Sequence, residues 1–296
     1  LEAWRKFIIA TKTQKRKEAL SITYIFSFCA SFCLCDFVAK TKKMFRLDNK
    51  KAVITGGGSG IGKAMSILFA KQGATVHIIE LSDENAKATV EEIVAAGGIA
   101  FAHSCNVVNQ QQVIETISSI DKVDILINNA GIAHIGKADT TPEADFDRVM
   151  TVNVKGTYNC IFAAIPKLRV QGGVIVNMAS IASNVGIADR FVYSTTKGAI
   201  KAMTMSVARD YIKEGIRANS ISPARVHTPF VDGFLKNNYA GKEVEMFEKL
   251  SQSQPIGRMA EPQEIATLAL YLCSEEASFI TGCDYPIDGG FTTLNN

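Results

Sequence analysis

The stretch VITGGGSGIGKAM, residues 53–65, decides the fold. It opens on three β-branched residues, Val53, Ile54 and Thr55, which suit an extended strand. It closes on the start of a helical pattern, GKAMSILFAKQG, residues 62–73. A tight connection from strand to helix needs residues that tolerate positive φ, and glycine does so at no steric cost. Gly56, Gly60 and Gly62 give the spacing G-x-x-x-G-x-G. Without Cβ atoms a phosphate can approach the backbone, and the N-terminus of the following helix favours negative charge. Strand, glycine turn and helix in that order is the context such a site requires. Taken alone, the loop favours a phosphate ligand, with a glycine-rich turn that binds nothing as the alternative.

Outward from it the pattern repeats. KAVIT (51–55), ATVHIIE (74–80), IAFAHSC (99–105), DILINN (124–129), GVIVNMAS (173–180), IRANSIS (216–222) and CDYPID (283–288) read as strands. Helical segments lie between most of them, including 83–98 and one long run over 143–168, with Pro142 and Pro262 opening helices as first-turn prolines. Near-continuous apolar strands alternating with amphipathic helices predict an α/β fold, a single doubly wound parallel sheet with helices on both faces. Ligands in such sheets bind beyond the carboxyl ends of the strands. Residues 44–296 form this domain in the sequence reading; no repeat, low-complexity tract or long linker interrupts it.

Residues 1–43 differ in character. They hold nine Lys/Arg against three Asp/Glu, +6 within a chain whose net charge is +3, which leaves −3 on the other 253 residues. An apolar run from Leu20 to Cys35 sits between basic flanks, but sixteen residues broken by serines fall short of the ~20 a span needs. We read this segment as an N-terminal extension, disordered or non-native, with Met44 resembling a natural start; a signal anchor and a packed structural element are the alternatives. A membrane partner is not expected. The mildly acidic body offers no basic surface for nucleic acid. Cysteines 105, 160, 273 and 283 are scattered, which fits a reducing, cytoplasmic setting. Histidines 77, 103, 134 and 227 lack ligand spacing, so no metal site is expected.

Glu80 ends the second strand, 24 residues beyond Gly56, where a carboxylate can bind the ribose hydroxyls of NAD and repel the extra phosphate of NADP. Tyr193 and Lys197 are one helical turn apart in VYSTTKGAI (192–200). A free phenol is a poor base at neutral pH, and a neighbouring ammonium would stabilise its phenolate. Ser180 follows the fifth strand and can hydrogen-bond a substrate oxygen beside that phenol.

TGGGSGIG (55–62), NNAG (128–131), NVKG (153–156), Ser180 and YSTTK (193–197) together resemble the short-chain dehydrogenase/reductase family, over residues 45–296. The resemblance implies a Rossmann-type fold, a homotetramer or dimer, and the catalytic set Asn153, Ser180, Tyr193 and Lys197. It implies that Lys197 also binds the nicotinamide ribose and that Asn153 holds a relay water. The cofactor set it implies is Gly56, Ser59, Gly60, Ile61 and Gly62 in the loop, Glu80, then Asn106 and Val107 at the adenine. Asn129, Ala130 and Gly131 follow, with Tyr193, Lys197, Pro223, Val226 and Thr228 near the nicotinamide; Asn128 supports the sheet. Two positions depart from the family pattern. Ala224 replaces the glycine of a Pro-Gly turn, which puts a positive φ there in doubt, and Asn106 replaces an aspartate.

Arg190 and Arg225 lie in ADRFVYS (188–194) and SISPARVHTPF (220–230), with His227 beside the latter. Arginine forks suit carboxylates, so both are candidate substrate contacts, or else they pair with acids of the protein. The flanking segments are loosely similar to sugar-acid and 3-hydroxybutyrate dehydrogenases. The expected activity is therefore NAD-dependent interconversion of a secondary alcohol and a ketone on a small carboxylated substrate. A 3-oxoacyl-thioester reductase and a non-catalytic dinucleotide-binding scaffold are the alternatives. Residues 232–259 fall where the family carries substrate-covering helices, with Gly233 and Gly241 able to permit motion. A chain begun at Met44 should remain soluble and keep its turnover; an insoluble or inactive truncation overturns the reading of 1–43.

Overall fold

Seven strands pair in the order β3-β2-β1-β4-β5-β6-β7, every pair parallel. The computed structural model describes residues 44–294 together with Glu2, so the expected extension 1–43 lies outside the described residues apart from Glu2. The strands are β1 (Lys51–Thr55), β2 (Thr75–Glu80), β3 (Ile99–Ser104), β4 (Ile125–Asn128), β5 (Gly173–Met178), β6 (Ile216–Pro223) and β7 (Asp284–Ile287). All seven strands expected from sequence are present; β1 has the expected bounds, β6 runs one residue further, and the other five are trimmed at their ends. The helices are α1 (Gly60–Lys71), α2 (Asp83–Ala95), α3 (Gln110–Ser119), α4 (Glu143–Met150), α5 (Gly156–Leu168), α6 (Phe191–Tyr211), α7 (Pro229–Asn238), α8 (Glu243–Gln252) and α9 (Pro262–Cys273).

Strand side chains alternate between two cores, as a period of two requires. Ala52, Ile54, Ile125, Ile127, Val174 and Val176 face one side, where α1, α2 and α9 supply Met65, Phe69, Ile93 and Ile265. Val53, Leu126 and Ile175 face the other, against Val113 and Ile117 of α3, Ile161 and Leu168 of α5, and Val207 of α6. This is the doubly wound α/β sheet expected. Polar residues start the helices: Ser82 caps α2 by accepting from Asn85 N, and Glu261 and Glu264 form a capping box at α9.

The long helix expected over 143–168 is interrupted. Thr151–Lys155 adopt π-helical turns between α4 and α5. Single π turns within α-helices mark positions where a side chain is re-aimed, and Asn153 occupies this one. Pro142 stands at the N-cap of α4 rather than in its first turn, while Pro262 is the first residue of α9.

The reversal of strand order between β1 and β4 opens the crevice. There Gly56 adopts φ +64° and α1 packs hard against the loop: a Cβ on Gly62 would stand 2.0 Å from the Gly56 carbonyl oxygen. Gly62→Ala should therefore destabilise the fold by about 1–3 kcal/mol, the usual cost of overpacking, read from denaturant midpoints; an unchanged midpoint would show that the loop can retreat.

Candidate active site

Every expected site segment arrives at the carboxyl edge of the sheet. Gly56 follows β1, Glu80 ends β2, Asn106 lies just past β3, Asn129 follows β4, Ser180 lies two residues past β5 and Pro223 ends β6. The glycine loop and the NNAG turn are locked together. Asn129 Nδ2 donates to the carbonyls of Thr55 and Gly56 at 3.1 and 3.2 Å, and Thr55 Oγ1 accepts from the backbone of Asn129 and Ala130 at 3.0 Å each. Ser59 caps α1 without a side-chain bond of its own. Ile61 packs partly buried against the core, and Thr228 comes within 3.4 Å of where a Gly60 Cβ would stand. Glu80 reaches back to this loop, Oε2 accepting from Gly58 N at 3.2 Å and Oε1 from Leu81 N at 2.9 Å.

The loop after β3 is shaped by its own polar groups. Asn106 Oδ1 accepts from Val108 N at 3.2 Å, leaving the amide oxygen a second lone pair. Asn159 of α5, buried, donates to the Val107 carbonyl at 2.8 Å, and the Val107 side chain abuts Gly156. Beyond β6, Ala224 is not among the described non-glycine residues with positive φ, which are Phe45, Asn49 and Asp189. The turn is therefore built without the conformation that the Gly-to-Ala change put in doubt. Val226 bridges to Ala260, but that bridge uses the carbonyl of Arg225 and the N–H of His227.

The remaining residues converge at the N-terminal end of α6. Asn153 is fully buried: Oδ1 accepts from Ile132 N at 2.8 Å, and Nδ2 donates to Ile132 O at 2.9 Å and to Thr196 Oγ1 at 3.0 Å. Thr196 in turn donates to the Tyr193 carbonyl at 2.7 Å. Lys197 is buried, and its Nζ donates to Met178 O at 2.7 Å. A Cβ on Gly131 would lie 3.2 Å from Asn153 Oδ1 and 3.8 Å from Lys197 Nζ, so the NNAG turn links the glycine crevice to the lysine. Tyr193 is half-buried, and Ser180 lies close enough to its hydroxyl to pull the phenol pKa down. The phenol thus stands at the crevice with its expected partners. Thr55, Thr196 and the Met178 carbonyl were absent from the sequence reading; a backbone acceptor leaves no trace in residue type.

Several groups act on the phenol. Burial pushes the Tyr193 phenol up, and the groups that pull it down are the Ser180 hydrogen bond and Arg190. Lys197 does not join them. Burial lowers its own pKa to about 8. Its Nζ lies 5.6 Å from the ring centroid. Arg190 is the N-cap residue of α6. It follows Asp189, whose φ of +57° turns the chain into α6 and whose carbonyl accepts from Arg190 Nη1 at 3.1 Å. Arg225, partly buried, is held below the usual arginine range by burial and then by Arg190, a like charge. Among the described residues neither guanidinium makes an ion pair with a carboxylate. His227 instead contacts Asp232 at 2.9 Å. No group of metal-ligating side chains occurs among the described residues, and no helix there is long and apolar enough to cross a membrane.

Residues 56–292 match a family model described as enoyl-(acyl carrier protein) reductase. The chain belongs to the short-chain dehydrogenase/reductase family. Its relatives in that family include dehydrogenase/reductase SDR family member 6 of Aquarana catesbeiana, 39% identical over 84% of this chain and 100% of the relative. A cyclohexanol dehydrogenase of Acinetobacter sp. is 36% identical over 84% of this chain and 97% of its own length. Among solved structures, levodione reductase superposes with a TM-score of 0.80 at 29% identity, covering 83% of this chain and 99% of that one. Like these, the protein is an oxidoreductase acting on CH–OH groups, with a nicotinamide dinucleotide as cofactor.

Because the folded pKa of Lys197 lies below its unfolded value of 10.5, the native state binds fewer protons between about pH 8 and 10.5. Its burial therefore costs stability below pH 8, and that cost is recovered as pH rises through this window. The stability of wild type relative to Lys197→Met should accordingly increase from pH 7 to pH 10; a flat difference would show that Lys197 is not desolvated.

Proposed function

We propose that this enzyme is an NAD-dependent dehydrogenase interconverting a secondary alcohol and a ketone on a small carboxylated substrate, a hydroxy acid or deoxy-sugar acid. The observation that carries the reading is the pair Arg190 and Arg225. The charge of Arg190 bears on Arg225 and on the Tyr193 phenol, and neither arginine has a carboxylate partner among the described residues. Two adjacent uncompensated cations beside a proton-transferring group repel each other until an anion arrives. A pocket for an uncharged ring alcohol has no use for them.

The crevice fits a dinucleotide on its own terms. Gly56 and Gly62 let the loop close tightly against the start of α1, and Gly60, φ +50° with nothing nearer than Thr228 at 3.4 Å, leaves bare backbone at the α1 N-terminus, where negative charge is favoured. Gly56, Ser59, Gly60, Ile61 and Gly62 would hold the pyrophosphate, Asn106 and Val107 the adenine, and Asn129, Ala130 and Gly131 the adjoining ribose. Pro223, Val226 and Thr228 would hold the nicotinamide end. Glu80 makes no ion pair among the described residues. Its uncompensated charge beside the loop supports NAD over NADP, and with it a hydroxy-acid dehydrogenase over an oxoacyl-thioester reductase.

When bound, the cofactor supplies or accepts the hydride. The protein's part is the proton and the orientation. Tyr193 donates its proton to the developing alkoxide in reduction and takes one from the alcohol in oxidation. Its raised pKa favours the donor state, and the nearby positive charge of Arg190 offsets part of that shift for the reverse direction. Ser180, beside the phenol, would hydrogen-bond the substrate oxygen and share the charge that develops on it. Lys197, tied to Met178 O and close to Gly131, would hold the nicotinamide ribose, and Asn153 fixes the turn at Ile132. Free cysteines at 105, 160, 273 and 283 support a cytoplasmic setting, and family membership supports a homodimer or homotetramer.

A panel of hydroxy acids, sugar acids and uncharged alcohols, followed at the nicotinamide absorbance band, tests the reading. Hydroxy acids should turn over with NAD in preference to NADP. Tyr193→Phe should bind NAD and lose about 10²–10⁴-fold in kcat. Arg190→Ala should raise KM for hydroxy acids selectively. Preference for NADP, or better turnover of the uncharged alcohols, overturns the proposal.

A further inference from the structure

A guanidinium that recognises a carboxylate presents two N–H groups in one plane, so a long, rotatable arginine must be aimed. Arg225 is aimed by the segment that follows α8. Its Nε–H donates to Ser253 Oγ at 2.9 Å, and its backbone N–H donates to Gln254 Oε1 at 3.0 Å. Ser253 spends its own proton on Leu250 O at 2.6 Å, so toward Arg225 its oxygen only accepts. Gln254 is 3% exposed, and its amide nitrogen donates to Arg258 O at 2.6 Å. Both ends of that side chain are therefore fixed. With Nε engaged, Nη1 and Nη2 of Arg225 make no hydrogen bond or ion pair among the described residues. The whole terminal edge is open to a two-pronged contact. Arg190, by contrast, spends Nη1 on the Asp189 carbonyl.

We infer that Ser253, the C-cap of α8, is a positioning residue for substrate specificity: its hydroxyl holds Nε of Arg225 so that the Nη1–Nη2 edge meets the substrate carboxylate. This rests on the carboxylate reading of the site. Carboxylate selection then depends on the end of α8, which is 28 residues from Arg225 in sequence. The covering segment thereby acts on substrate charge as well as enclosing it.

The test is a double-mutant cycle on the full chain with NAD, using the hydroxy acid that turns over fastest in the panel. Ser253→Ala should raise KM about tenfold, the loss of one hydrogen bond to a charged group, with a smaller fall in kcat. Ser253→Thr, which keeps the hydroxyl, should restore much of that KM. Arg225→Ala should raise KM at least as far, and adding Ser253→Ala to it should change KM no further. Additive effects in the double variant, or a Ser253→Ala KM equal to wild type, overturn the positioning role alone. If Arg225→Ala leaves KM unaltered, or no hydroxy acid turns over, the carboxylate reading falls and takes this inference with it.

Discussion

A parallel strand cannot meet its neighbour through a tight turn; each connection must cross a face of the sheet, and the crossing has one favoured hand. That constraint places every strand's carboxyl end on the same edge. It also makes β1 the point from which the chain departs first to one side, through β2 and β3, and then to the other, through β4 to β7. The crevice between the Gly56 loop and the Asn129 turn is the consequence, and the residues at the ends of five further strands have nowhere else to be. Glu80, Asn106, Ser180 and Arg225 are brought together by topology before any of their own contacts form.

Within that frame a second layer fixes side chains against one another. Asn128 donates to Asn177 Oδ1 and Asn177 donates to Thr204 Oγ1, each at 2.8 Å, so two central strands are tied to α6 through fully enclosed polar groups. Buried amides are costly unless satisfied; Asn177 is paired through both its oxygen and its nitrogen, while Asn128 Oδ1 has no partner among the described residues, and the Asn177–Thr204 bond leaves α6 little freedom to slide. Tyr193 and Lys197 ride on that helix. On the outer side of β6, Asp284 accepts from Ser220, Ser222 and Asn184, which ties the last strand to the turn that begins at Ser180.

The strands and the glycine loop were legible because their signals are local: β-branched runs, period-two burial and glycines where a Cβ would collide. The set at 153, 180, 193 and 197 was legible as a resemblance, and the coordinates bring those side chains to one place. What the residues could not disclose was depth. Lys197 reads as a charged side chain, and only its enclosure under Met178 shows that its proton is loosely held. The choice of Arg190 as the cation acting on the phenol was hidden for the same reason. So was the fixing of Arg225 by Ser253, because a contact between a strand end and a distant helix end has no periodicity to announce it. The residues TVNVK carry ordinary helical composition, so the π turns they form were invisible too.

Those π turns have a consequence for the helices on either side. Each residue of an α-helix advances the side-chain direction by about 100°, and one additional residue in a turn moves everything downstream by about that angle. The face by which α5 seats Cys160, Ala164 and Leu168 in the core is thus out of phase with the face that α4 sets by Val149. The mismatch lets a single rod serve two masters, gripping the sheet with its far half while turning Asn153 inward toward Ile132 and Thr196 at the join. A shortening of the rod by one residue at that join would bring its two halves back into step and swing the asparagine away from both partners.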